Sequence, residues 1–149
     1  MSGRRVMVVD DDREVCELVA RTLMKAGFDV ASALSGEEGL ERLADFKPAC
    51  LVVDKVLPGL GGLELMNEAR RRQPGLPVVL ITGYPEPFQI GEGRPDAVML
   101  KPFISLKALC DTVSAVLDSS GFEWPLAQLR QRVAAVVSEL SPVRKKKGL

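Results

Sequence analysis

Short apolar runs alternate with stretches of helical periodicity along most of this chain, and that alternation restricts the fold more than any other feature. "RVMVV", "FDVAS", "ACLVVD", "LPVVLIT" and "DAVMLK" read as five strands. Several are apolar almost throughout, the mark of strands buried on both faces. Between the first two, "REVCELVARTLMKAGF" sets Val15, Leu18, Val19, Thr22, Leu23 and Ala26 at helical spacing, with Gly27 as the stop. Ser35 and Glu38 fit an S-x-x-E capping box that opens a helix through about Ala44. "LPGLGG" is a Gly/Pro loop before the amphipathic "LELMNEARRRQ", and Ser105 caps a last helix to about Leu117. Strands alternating with helices predict an α/β fold: a parallel sheet, right-handed crossovers and helices on both faces.

Two stretches break the rhythm. "GYPEPFQIGEGRP", between the fourth and fifth strands, holds Pro85, Pro87, Gly91, Gly93 and Pro95, so at most a short helical turn is expected near Pro87 to Ile90. The domain is expected to span residues 4–118. Residues 119–149 then supply a hinge ("SSGFEWP"), an amphipathic helix with Leu126, Leu129, Val133, Val136 and Leu140 on one side, and a basic "RKKKGL" end. That helix either packs back on the domain, the favoured reading, or pairs two copies into a homodimer. The segment is too short for a helix-turn-helix, so no DNA-binding domain is expected.

Composition removes several function classes. Formal net charge is zero over 149 residues, so no global basic field exists to hold nucleic acid. No apolar run approaches the ~20 residues of a membrane span, and no apolar leader follows Arg4 and Arg5, which argues for a cytoplasmic protein. Cys16, Cys50 and Cys110 are scattered singly and read as buried free thiols. Histidine is absent, which excludes Ser-His-Asp and Cys-His catalysis and rules out phosphorylation of a histidine in this chain.

The strand ends carry the chemistry. In an open α/β sheet, ligands bind outside the carboxyl ends of the strands. The first strand ends in Asp10 and Asp11, the third in Asp54, the fourth in Thr82 and the fifth in Lys101. Three carboxylates, a hydroxyl and an ammonium on one edge suit phosphoryl transfer. Clustered carboxylates bind Mg²⁺, a carboxylate can accept a phosphoryl group as an acyl phosphate, and the lysine and threonine can contact phosphoryl oxygens. Asp12 is read as the N-cap of the following helix.

In "VMVVDDD", "LVVDKVLPGLGGLEL", "VVLITG" and "MLKPF" the sequence resembles the receiver (CheY-like) domain of two-component response regulators, over about residues 4 to 118. The resemblance implies a flavodoxin-like (βα)5 fold, with a five-stranded parallel sheet in the order 2-1-3-4-5. Here the fourth helix is expected to be weakened and the C-terminal helix is extra. It implies that Asp54 is the phosphoacceptor and that Thr82 and Lys101 contact the phosphoryl group. Asp10, Asp11, Asp54 and the backbone carbonyl of Val56 would hold Mg²⁺. The phosphodonor would be a histidine kinase or phosphotransfer protein, or a small-molecule donor, and the output a protein–protein contact. Three positions depart from the family pattern. Gly61 stands where an acidic residue is frequent, Val98 stands where a switch aromatic is usual, and the segment between Thr82 and Lys101 is short. The alternatives are a degenerate receiver that binds partners without phosphorylation and an aspartate-nucleophile phosphatase of the haloacid dehalogenase type, read from Asp10-x-Asp12.

Overall fold

The computed structural model describes residues 4–83, 94–101 and 105–118. Five strands are present: β1 (Arg5–Val9), β2 (Asp29–Ala33), β3 (Cys50–Asp54), β4 (Val78–Thr82) and β5 (Ala97–Leu100). The described helices are α1 (Arg13–Lys25), α2 (Gly36–Phe46), α3 (Gly62–Arg72) and α4 (Leu106–Asp118). All strand pairs are parallel, in the order β2-β1-β3-β4-β5. The weakened helix expected between β4 and β5, the hinge and the C-terminal helix lie outside the described residues.

Strand phase sorts the core into two layers. Val6 and Val8 of β1, Cys50 and Val52 of β3, Val79 and Ile81 of β4, and Ala97 and Met99 of β5 face α1 and α4, meeting Cys16, Val19, Leu23, Leu109 and Val113. The alternate residues Met7, Val9, Leu51, Val53, Val78, Leu80 and Val98 face α2 and α3, meeting Leu43, Leu65, Met66 and Ala69. Burial on both faces explains why the strands read as unbroken apolar runs. A buried side chain of this kind contributes ~1.5–3 kcal/mol relative to exposure.

Caps fix where the helices start. Asp12 Oδ1 accepts hydrogen bonds from the Glu14 and Val15 N–H groups at 3.0 and 3.3 Å, as its N-cap reading requires. Ser35 Oγ accepts from Glu38 N–H at 3.1 Å, but the return contact differs from the expected box. Glu38 Oε1 accepts from Leu34 N–H at 2.8 Å, one residue before the cap. The α2 helix also runs to Phe46 rather than Ala44, ending at Lys47 in a left-handed conformation with φ of 51°. Ser105 Oγ accepts from Ala108 N–H, consistent with the expected cap of α4. Two of the three thiols, Cys16 and Cys50, are buried as expected, whereas Cys110 is half-buried on α4 because it sits at the edge of the α1–α4 contact.

The start of α3 packs directly on the end of β3. Gly62 N–H donates to Lys55 O at 2.9 Å, and a Cβ at Gly62 would collide with the backbone carbonyl of Asp54. Gly62→Ala is therefore expected to destabilise the protein by ~1–3 kcal/mol, read as a lower urea midpoint. Gly83→Ala, where a Cβ meets nothing within 4 Å, should stay within ~0.5 kcal/mol of wild type.

Candidate functional site

Register brings two acidic strand ends side by side. Val9 pairs with Val53 across β1 and β3, so the next residues, Asp10 and Asp54, are neighbours at the carboxyl edge. The ladder continues past the strands: Asp10 N–H donates to Ala33 O at 3.2 Å and Lys101 N–H to Thr82 O at 2.9 Å. Phase then selects the face. Asp10 follows Val6 and Val8, Asp54 follows Cys50 and Val52, and Lys101 follows Ala97 and Met99, all of them on the α1–α4 side.

The lysine reaches back across β4 to both carboxylates. Its Nζ lies 2.7 Å from Asp54 Oδ2 and 2.8 Å from Asp10 Oδ2. The Asp54 contact is a hydrogen bond. The Asp10 contact is an ion pair without hydrogen-bond alignment, which leaves Oδ2 a buried oxygen with no hydrogen-bond donor. The opposite oxygens are held alike. Asp10 Oδ1 accepts from Asp12 N–H at 2.9 Å, and Asp54 Oδ1 accepts from Val56 N–H at 3.1 Å. Each carboxylate thus turns one oxygen to the backbone two residues onward and the other to the ammonium.

Burial sets the electrostatics. Loss of solvent pushes the Asp10 pKa above the ordinary carboxylate value, and the Asp54 charge adds to that, against the opposing pull of Lys101 and the Asp12 N–H. For Lys101, burial acts downward, but the contacts with Asp10 and Asp54 outweigh it and hold the ammonium pKa above its ordinary value.

Asp11 completes the acidic set from an exposed position. One oxygen from each of Asp10, Asp11 and Asp54 can be chosen such that all lie within 4.8 Å of one another. Three carboxylates against one ammonium leave two negative charges in excess when all are ionised. Together with the undonated Asp10 Oδ2, this fits a divalent cation with oxygen ligands. Val56 lies next to the set through its N–H bond to Asp54, with its side chain exposed. Thr82 is fully buried at the end of β4 and its carbonyl is tied to Lys101, but it is in phase with Val78 and Leu80, toward the α2–α3 layer. Asp10, Asp11, Asp54 and Lys101 thus converge, and Thr82 is joined to them through its backbone carbonyl. Val98 is 3% exposed, inside the α2–α3 layer. Gly61 is the N-cap of α3, where its N–H donates to Glu64 Oε1.

One contact near the site had no counterpart in the sequence reading. Glu37 Oε2 of α2 accepts from Leu60 N–H, in the loop that follows Asp54, at 3.0 Å. The available signal was the pair of glycines, Gly36 and Gly39, inside a short helix.

The family model of the response regulator receiver domain matches residues 6–114. The alkaline phosphatase synthesis transcriptional regulatory protein PhoP of Bacillus subtilis (strain 168) is 32% identical over 131 residues, covering 86% of this chain and 54% of that protein. Response regulator MprA of Mycobacterium ulcerans (strain Agy99) is 34% identical over 140 residues, covering 92% of this chain and 59% of that protein. The chain therefore spans little more than half the length of these curated relatives. Among solved structures, the response regulator receiver domain protein (CheY-like) from Methanospirillum hungatei JF-1 aligns with a TM-score of 0.71 at 25% identity, over 80% of this chain and 98% of that one.

Because burial raises the Asp10 pKa, its ionised form opposes folding. The folded state takes up this proton at higher pH than the unfolded state, so stability from this residue rises as pH falls through the raised value toward 3.8. Asp10→Asn is expected to melt a few degrees above wild type at pH 7 in EDTA. The gap should close as pH falls through that window, and melting curves of both proteins across pH check it.

Proposed function

The chain belongs to the response regulator receiver domain family, and from that premise we propose that it is a phosphoacceptor, receiving a phosphoryl group on Asp54 and signalling through protein–protein contacts. The observation that carries this reading is the convergence of three strand ends, with Lys101 Nζ within 2.8 Å of both Asp10 and Asp54. In the proposed transfer, an Asp54 carboxylate oxygen attacks phosphorus. The donor's P–N bond breaks as the imidazole of a partner's phosphohistidine leaves, or the P–O bond of a small acyl phosphate breaks, and an acyl phosphate forms on Asp54. A histidine kinase or phosphotransfer protein supplies the group, since this chain has no histidine.

Asp10, Asp11, Asp54 and the Val56 carbonyl would hold Mg²⁺, which when bound supplies positive charge to the phosphoryl oxygens. The chain's own residues do the rest. Lys101 exchanges part of its contact with Asp54 for a phosphoryl oxygen, keeping its charge because its pKa is raised. The Thr82 hydroxyl donates to another phosphoryl oxygen. Asp10, buried and fixed by the Asp12 N–H, keeps its second oxygen toward the pocket.

The proposed receiver unit is residues 4–118, with residues 119–149 as its appendage. The phosphatase alternative needs Asp12 facing the pocket, but Asp12 Oδ1 is engaged in capping α1. The degenerate-receiver alternative leaves the paired Asp10, Asp54 and Lys101 without a role.

Incubation with acetyl phosphate and Mg²⁺, followed by intact-mass spectrometry, tests the proposal. Wild type should gain one phosphoryl group, Asp54→Ala none, and Lys101→Ala should react roughly 10²-fold more slowly, the scale of losing one charge-stabilising donor. EDTA should abolish incorporation. No incorporation by wild type would exclude the reading.

A further inference from the structure

The loop from Lys55 to Gly61 carries both the Val56 backbone and the peptide that follows Asp54. Its ends are tied within the neighbouring elements. Lys55 N–H donates to Ile81 O at 2.8 Å, and Gly61 N–H donates to Glu64 Oε1 at 3.0 Å. Its C-terminal half is held from a different helix, through the hydrogen bond from Leu60 N–H to Glu37 Oε2.

The first turn of α2 is shaped for this contact. A Cβ at Gly36 would stand 2.6 Å from Leu60 O and 3.1 Å from Leu60 Cβ, so only glycine lets the helix sit this close to the loop. Gly39, one turn on, would bring a Cβ to 3.1 Å from Val9 Cγ2. Glycine disfavours helix, and two in an 11-residue helix are accounted for by close approach on one face. Gly59 has φ of +73°, the left-handed bend that carries the loop beneath the Glu37 carboxylate. The two adjacent glutamates divide the work. Glu38 binds Leu34 N–H and Arg42, while Glu37 reaches to the loop from the second helical position, where the helix dipole favours negative charge.

We infer that Glu37 is a positioning residue: by seating the C-terminal half of the 55–61 loop on α2, it holds the Val56 backbone and Asp54 in the geometry that binds the divalent cation and accepts the phosphoryl group. This rests on the phosphoacceptor reading of the same site. Metal ligands lose affinity when the groups that orient them are removed.

The test compares Glu37→Ala, Glu37→Gln and Glu41→Ala in the full chain. Gln keeps an oxygen for Leu60 N–H without the charge, and Glu41 is an exposed residue of the same helix. Three quantities are read: hydrogen exchange at the Leu60 amide, the Kd for Mg²⁺ by calorimetry, and the acetyl phosphate reaction rate at limiting and saturating Mg²⁺. In Glu37→Ala, the Leu60 amide should exchange faster. Its Mg²⁺ Kd should rise on the order of threefold or more, below the 10- to 100-fold of buried orienting groups because Glu37 is exposed. Its phosphorylation should slow at limiting Mg²⁺ and recover at saturation. Glu37→Gln and Glu41→Ala should match wild type in all three. Faster Leu60 exchange in Glu37→Ala with unchanged Kd and rate would overturn the inference and leave the phosphoacceptor reading intact. Equal losses in Gln and Ala would overturn the hydrogen-bond basis. A wild type that neither binds Mg²⁺ nor incorporates phosphate would overturn both.

Discussion

Lys101 holds together charges that the sheet itself forces into repulsion. The β1–β3 register sets Asp10 beside Asp54, and Asp11 adds a third carboxylate from the exposed side. The compensating ammonium comes from β5, two strands from β3, and reaches both Oδ2 atoms. Burial is the main cause of the raised Asp10 pKa, and the neighbouring Asp54 charge adds to it, against the pull of Lys101. A site arranged in this way stores affinity for further positive charge.

An unfavourable edge of this kind persists only if the rest of the domain fixes it. The two apolar layers do so from both faces, with β3 and β4 buried along their whole length. Close packing allows little relaxation. The carboxylates cannot separate without disturbing Val8, Val52 and Met99 on one face and Val9, Val53 and Leu80 on the other. At the opposite end of the sheet, Arg70 spans α3 and the start of β5, binding Leu76 O, Arg94 O and Asp96, whose second contact is with Val78 N–H. The bond network anchors the strands at this end, while the carboxylates of Asp10, Asp11 and Asp54 gather at the other. Local rules of stability are commonly broken at functional sites and offset elsewhere, and this domain divides the two tasks between the two ends of one sheet.

The fold and most of the site were legible because they follow from period and position. Strands buried on both faces leave continuous apolar runs, and a polar residue that closes such a run can only lie at the sheet's edge. That logic alone places Asp10, Asp54, Thr82 and Lys101 at strand ends on one edge, and Asp12 as a cap follows from its place before α1. What escaped depended on distances between elements. The return arm of the α2 cap falls on Leu34 rather than Ser35, and the α2 tie to Leu60 joins residues 23 apart. No periodicity encodes such contacts. Gly36 and Gly39 were the trace they left, and glycines in a helix do not say what they approach. The exposure of Cys110 likewise depended on how closely α4 docks against α1, which apolar content alone does not fix.

Strand phase also divides the site in a way that bears on how its state can be communicated. Asp10, Asp54 and Lys101 belong to the α1–α4 face, while Thr82 is in phase with Leu80 on the α2–α3 face, the layer that contains Val98. A displacement at Thr82 therefore meets the packing of α2 and α3, not that of α1. Val98 is β-branched, with restricted χ1 freedom, and it is packed in the core on this face. The loop after Asp54 rests on the first turn of α2, where Gly36 meets the backbone and side chain of Leu60 and Glu37 accepts from its N–H. A shift of a few tenths of an ångström in that loop would press directly on a helix backbone.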